Sequence, residues 1–200
     1  MFAQVITAQV TDEEGLRRQV QRWHDEIRPG ASGYLGTTGG ITDDGKLVVM
    51  IRFATEDDGR RNSDRPEQGA WWAETEKCLA GVAFANAADV ITGGDGGSDD
   101  AGFVQVMRGR ITDAAAYDKV LAQMDDFAET MKEFRPDVLG MVTVRIDDGT
   151  YFDFAYFSSE AEARAGESKE MPADVQAQME QAMAASTLDE YLDLKDPWLF

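Results

Sequence analysis

Thr92-Gly-Gly-Asp-Gly-Gly-Ser-Asp-Asp-Ala-Gly102 separates two halves of the chain that resemble each other. This stretch has no apolar side chain larger than alanine, a composition typical of a flexible linker. Phe2-Ala-Gln-Val5 before it matches Phe103-Val-Gln-Val106 after it, and Asp43-Asp-Gly45 matches Asp147-Asp-Gly149 in the same order. The ordered matches predict a duplication, with one repeat over 1–92, a linker over 93–102 and a second repeat over 103–200.

Both halves predict the same order of secondary structure. In the first half, the patterns indicate a strand, a helix capped by Thr11, a hairpin, a polar stretch, a second helix and a closing strand. Their ranges are Phe2–Gln9, Leu16–Ile27, Tyr34–Ala54, Glu56–Arg65, Glu67–Leu79 and Phe84–Ile91. The second half repeats this order, with Thr112 as the first cap, Ser159 as a cap and Pro172–Ala185 as a helix. The order β-α-β-β-α-β, present twice, predicts an α+β protein made of two ferredoxin-like units.

The third strand of each half is apolar on both faces. Leu47, Val49 and Ile51 alternate with Val48 and Met50. A sheet with helices on one side must have its other face covered as well. We therefore expect the two sheets to pack on each other within one chain, as an intrachain pseudo-dimeric α+β barrel. Such a chain is expected to be a monomer, or a weak homodimer through its helices.

The charge of the chain excludes some partners. The net charge is −19, and the halves share it unequally. Residues 1–92 carry 10 basic and 15 acidic side chains, or −5, whereas residues 93–200 carry 9 and 23, or −14. A surface with this much negative charge repels phosphate backbones and anionic membranes. We therefore expect no nucleic-acid or membrane partner. The single cysteine, Cys78, forms no internal disulfide and favours a cytoplasmic location.

The element order and one local segment resemble a known superfamily. Phe53–Asn62, followed by Arg65-Pro-Glu-Gln-Gly-Ala-Trp-Trp72, is similar to the segment after the third strand in the dimeric α+β barrel superfamily, among its antibiotic-biosynthesis monooxygenase-like proteins. The second half keeps only Phe157-Ser-Ser-Glu and the later Pro172 of this segment. The resemblance implies a small apolar or aromatic ligand and oxygenase chemistry without an organic cofactor. Its haem-degrading members use a histidine on the second helix, where this chain has none.

The first repeat carries the candidate ligand-binding residues Trp71, Trp72, His24 and Asn62. Adjacent tryptophans point about 100° apart on a helix, so one ring is expected to face the sheet and the other a cleft that suits an aromatic ligand. Core packing is the alternative for the inner ring, and a solvated loop is the alternative for Asn62.

His24 is the only histidine of the chain, which excludes a metal site built from several histidines. It borders the apolar stripe of the first helix, where it is either an ordinary surface residue or a proton shuttle at the edge of a pocket. Its counterpart in the second repeat is Asp125. The two repeats therefore cannot perform the same chemistry at this position.

Charged residues within the strands form a third group. Arg108 and Arg110 lie in one strand, and Arg52, Arg145 and Asp153 are also in mid-strand. Since buried charges need partners, we expect Asp153 to pair with one of these arginines and fix the register between the halves.

Two functional hypotheses follow from the sequence. The first is a protein that binds a small apolar or aromatic molecule in the first repeat, as a cofactor-independent monooxygenase. The second is a non-catalytic binding or scaffold protein whose duplication is structural. No catalytic motif separates the two hypotheses, and Cys78 is interpreted as a buried apolar residue.

Overall fold

The computed structural model describes residues 1–93, 96–123 and 132–200. Asp125 and the linker positions Gly94 and Asp95 lie outside the described residues. The chain divides into two compact units. Unit 1 comprises Met1–Val90 together with Trp198–Phe200, and unit 2 comprises Ile91–Pro197.

Unit 1 is an antiparallel sheet with helices on one face. Its strands lie in the order β10-β2-β3-β1-β4. The strands are β1 (Phe2–Val10), β2 (Tyr34–Ile41), β3 (Lys46–Phe53), β4 (Leu79–Ala87) and β10 (Trp198–Leu199). The helices are α1 (Glu13–Arg22), α2 (Glu56–Ser63) and α3 (Pro66–Thr75). A π-helical turn, Trp23–Ile27, continues α1.

Unit 2 repeats this arrangement with a sheet in the order β5-β7-β8-β6-β9. Its strands are β5 (Asp89–Gly93), β6 (Phe103–Ile111), β7 (Val138–Arg145), β8 (Thr150–Phe157) and β9 (Ser186–Leu194). Its described helices are α4 (Ala114–Leu121), α5 (Glu160–Glu167) and α6 (Ala173–Ala185). The α+β class and the two ferredoxin-like units predicted from the sequence are confirmed.

Equivalent turns of the two units have the same backbone. Gly45 and Gly149, which end the two Asp-Asp-Gly turns, have φ angles of +79° and +85°. This left-handed conformation favours glycine, since a Cβ atom would be strained there. The predicted hairpins β2–β3 and β7–β8 are therefore both present, in matching register.

Several local details differ from the sequence predictions. The first caps are Asp12 and Asp113 rather than the preceding threonines, because their carboxylates accept the amides of Gly15 and Ala116 at 2.9 and 3.0 Å. The polar stretch after β3 is a helix, α2, capped by Thr55. It escaped prediction because it lacks an apolar stripe.

The helix-facing side of the first sheet packs on aliphatic residues. Ala8 and Leu47 of the sheet cluster with Leu16 of α1 and with Cys78. Side chains on the opposite side of the same strands are also buried, as Val48 and Met50 are. The two-sided apolar pattern of β3 is thus confirmed as two-sided burial. No helix within the described residues is long and apolar enough to span a membrane.

Candidate functional site

Six aromatic rings of unit 1 form a continuous series of contacts, here called the aromatic ladder. Neighbouring ring centroids lie 5.2, 5.9, 6.4, 5.2 and 6.1 Å apart. In order from the surface inward, the rings are Phe84, Trp72, Trp71, Trp23, Tyr34 and Phe53. These spacings are those of favourable aromatic pairs, so the ladder is a packed structure that extends from the solvent to the core.

The inner tryptophans hold α1 and α3 together. The indole nitrogen of Trp71 donates a hydrogen bond to the carbonyl of Gln19 at 2.8 Å. The indole of Trp23 donates in the other direction, to the side-chain oxygen of Gln68, also at 2.8 Å. Because Trp23 is buried and both N–H groups are satisfied, these two rings have a structural role.

The outer rings are accessible. Trp72 is half-buried, and the Phe84 side chain on β4 is 51% exposed. Within the described part of the chain, the indole nitrogen of Trp72 donates no hydrogen bond to the protein. This pair therefore presents an apolar surface with one free donor to the solvent.

His24 is placed away from the outer rings. Its side chain is half-buried, its Nδ1 lies 3.0 Å from a carboxylate oxygen of Asp25, and its ring centroid lies 4.5 Å from that of Phe200. Hydrogen bonds from Gln21 and His24 lower the pKa of Asp25. The ring of His24 thus contacts Asp25 and Phe200, neither of which belongs to the ladder.

Asn62 is buried inside unit 1 rather than in a solvated loop. It lies on α2, and its side-chain oxygen accepts a hydrogen bond from Arg65 at 3.0 Å. The same guanidinium donates to the carbonyl of Ile27 at 3.1 Å. Asn62 therefore positions Arg65, which fastens the end of the π-helical turn. The structure brings Trp71 and Trp72 together, whereas the side-chain oxygen of Asn62 is engaged by Arg65.

Cys78 is a core residue. Its side chain is buried against Leu16 and Leu47, and burial raises the pKa of its thiol. A thiol that stays protonated at neutral pH is a poor nucleophile.

The expected pairing of Asp153 with an arginine is wrong, and the strand register gives the reason. Arg108 lies opposite Phe152, whereas Asp153 lies opposite Met107, so Arg108 and Asp153 are on opposite faces of the sheet. Arg108 instead pairs with Glu190 on β9, at 3.8 Å. No described arginine or lysine forms an ion pair with Asp153.

Asp153 lies on the helix-facing side of unit 2, in a polar cluster that sequence reasoning missed. The hydroxyl of Thr143 donates to its Oδ1 at 2.5 Å. Tyr151 lies two residues earlier on the same face, and its ring centroid is 5.7 Å from that of Tyr117 on α4. Burial raises the pKa of Asp153 to about 6, and burial also raises the pKa values of both tyrosines. A carboxyl group whose pKa is raised by burial is a candidate for a functional site.

No group of three or more histidine, cysteine, aspartate or glutamate side chains suited to a metal ion occurs among the described residues. The contacts described above give two candidate sites, which are the outer end of the aromatic ladder and the Asp153 cluster.

Solved structures share the fold over the whole chain. A monooxygenase candidate from Lactobacillus acidophilus NCFM is 12% identical, with a TM-score of 0.72, and the alignment covers 100% of this chain and 98% of that one. An anthrone oxidase-like protein is 9% identical, with a TM-score of 0.66 and coverage of 99% and 88%. A ferredoxin-fold protein from Listeria monocytogenes 4b F2365, related to antibiotic biosynthesis monooxygenases, is 10% identical, with a TM-score of 0.50 and coverage of 96% and 92%.

These likenesses confirm the fold that the sequence resemblance implies. The alignments cover at least 96% of this chain and at least 88% of each neighbour, so both units of this chain are matched. No family model matches the chain, and no curated protein does. At such low identity the likeness concerns the fold, and function has to be argued from the sites.

Proposed function

We propose that unit 1 binds a small aromatic molecule at the outer end of the aromatic ladder, against Trp72 and Phe84. The observation that carries this proposal is the continuity of the ladder. Its inner rings are fixed by hydrogen bonds and its outer rings are accessible. A rigid aromatic surface with one free indole donor suits a flat apolar ligand that carries a hydrogen-bond acceptor.

The monooxygenase names of the structural neighbours support testing this site for oxidation of the ligand. Anthrone is a suitable probe because it is flat and aromatic and carries a carbonyl acceptor. Oxygen uptake by the protein with anthrone and no added cofactor would favour an enzyme. Binding without uptake would favour the alternative, a non-catalytic binding protein.

Tryptophan fluorescence can test the site selectively, since all four tryptophans belong to unit 1. We expect anthrone to quench this fluorescence with saturation. Replacing Phe84 by alanine should weaken binding at least tenfold, because the ligand loses one wall of its site.

The matched control is Leu35→Ala, which removes a side chain of similar exposure, 49%, elsewhere in unit 1. It should leave the affinity for anthrone unchanged. Quenching that never saturates, or equal weakening by both substitutions, would contradict the proposed site.

A further inference from the structure

The duplication supplies an internal reference for the Asp153 cluster. Asp153 pairs with Met107 on β6 and with Thr143 on β7. The position with the same neighbours in unit 1 is Val49, which pairs with Ile6 and Gly39. The same fold therefore accepts an aliphatic side chain at this place, and folding does not require a carboxylate there.

The two tyrosines of the cluster replace aliphatic residues in the same way. Tyr151 stands where unit 1 has Leu47, and Tyr117 stands where it has Leu16. Both of those leucines belong to the apolar core of unit 1. Unit 2 has thus exchanged a dry, aliphatic contact between helix and sheet for an acid and two phenol rings.

Asp153 is only partly satisfied by the protein. Its Oδ1 accepts the hydroxyl of Thr143, whereas its Oδ2 has no donor among the described residues. The side chain is half-buried, so it retains accessible surface even though burial raises its pKa to about 6. Such a carboxylate is ionised for the most part at neutral pH and lacks a counter-charge, which is unfavourable in a partly desolvated place.

Among the described residues, the charged and titratable groups around the Asp153 cluster include one basic side chain, and an acid already pairs with it. Tyr117 and Asp118 belong to α4, Tyr151 belongs to β8, and Asp189 and Tyr191 belong to β9. Arg145 on β7 is the nearby basic residue, and its guanidinium lies 2.5 Å from a carboxylate oxygen of Asp118. The other groups just named are acidic or neutral.

We propose that unit 2 binds a small organic cation, a primary amine on an aromatic or apolar body, with its ammonium group against the Asp153 carboxylate and beside the rings of Tyr117 and Tyr151. The ammonium group would supply the missing counter-charge and the missing donor to Oδ2. Phenol rings attract cations through their π faces. The net charge of −14 on unit 2 attracts a cation and repels an anion. A neutral alcohol would supply the donor without the charge.

The test compares three amines with their isosteric alcohols by isothermal titration calorimetry at pH 8. The probes are butylamine, benzylamine and 2-phenylethylamine, against 1-butanol, benzyl alcohol and 2-phenylethanol. At least one amine should bind ten times more tightly than its alcohol. Asp153→Asn should abolish that preference, and lowering the pH to 5 should weaken it, because protonation removes the carboxylate while the amine stays charged.

Asp147→Asn is the matched control, since it removes one exposed acidic charge from the same unit. It should preserve the preference for amines, as should Phe84→Ala, which alters only the site proposed in unit 1. Equal affinity for amines and alcohols, no detectable binding of any amine, or an unchanged preference in Asp153→Asn would each overturn the proposal. None of these outcomes bears on anthrone binding, so the two proposals fail separately.

Discussion

Replacing Trp23 by alanine is expected to lower the free energy of unfolding of unit 1 by about 3–5 kcal/mol. Trp23 is only 8% exposed, packs between Tyr34 and Trp71, and satisfies Gln68 through its indole nitrogen. The alanine would leave a large cavity and an unpaired amide oxygen. Urea unfolding, followed by the fluorescence of the remaining tryptophans, measures this loss.

Trp72→Ala serves as the comparison because that ring is half-buried and its indole nitrogen has no protein acceptor among the described residues. Trp72→Ala should lower the free energy of unfolding by less than half as much as Trp23→Ala does. Equal costs would show that the outer ring is part of the core, and would remove the reason to place a ligand there.

Replacing Asp153 by asparagine is expected to make unit 2 more stable at pH 8, by about 3 kcal/mol. The pKa of this carboxyl is about 6 in the folded protein, against 3.8 as its ordinary value. The folded state therefore binds the proton more tightly than the unfolded state does. The protonated carboxyl therefore contributes its full stability to the fold below about pH 4, and this contribution is lost as the pH rises through 6. Its size is about 1.4 kcal/mol for each unit of difference between the folded and unfolded pKa. Asparagine keeps the acceptor for Thr143 and carries no charge.

The measurement is urea unfolding of both proteins at pH 4 and pH 8, followed by near-ultraviolet circular dichroism of the tyrosines, four of which lie in unit 2. The free energies of unfolding of the two proteins should be nearly equal at pH 4, and should differ by the expected amount at pH 8. An equal stability at pH 8 would mean that Asp153 is solvated. A substitution that stabilises the fold and removes binding is the behaviour expected of a residue kept for function.

The sequence predicted the strands and turns within each repeat well because their signals are local. The Asp-Asp-Gly turns and the alternating strands depend on neighbouring residues, and both were found at the right positions. The two-residue strand β10 was missed, because Trp198 pairs with Gly39, far away in the chain. No local pattern announces such a pairing.

The candidate sites were predicted less completely for a similar reason. The adjacent pair Trp71 and Trp72 was visible in the sequence, but the outer partner Phe84 comes from an edge strand whose register was unknown. Asp153 was noticed as a charge in mid-strand and was assigned to the wrong face. The face of the sheet on which a side chain lies relative to Arg108 depends on the residue opposite it in the neighbouring strand. That residue is known only once the pairing of β6 with β8 is known.

The pairing of β10 with β2 also has a consequence for how the protein is made. The edge of the first sheet is completed by Trp198 and Leu199, which leave the ribosome only after all of unit 2. Every strand of the second sheet has by then been synthesised. The edge of β2 therefore stays open throughout the synthesis of unit 2, although unit 1 is made first. A nascent chain arrested before Trp198 would expose that edge to other strands.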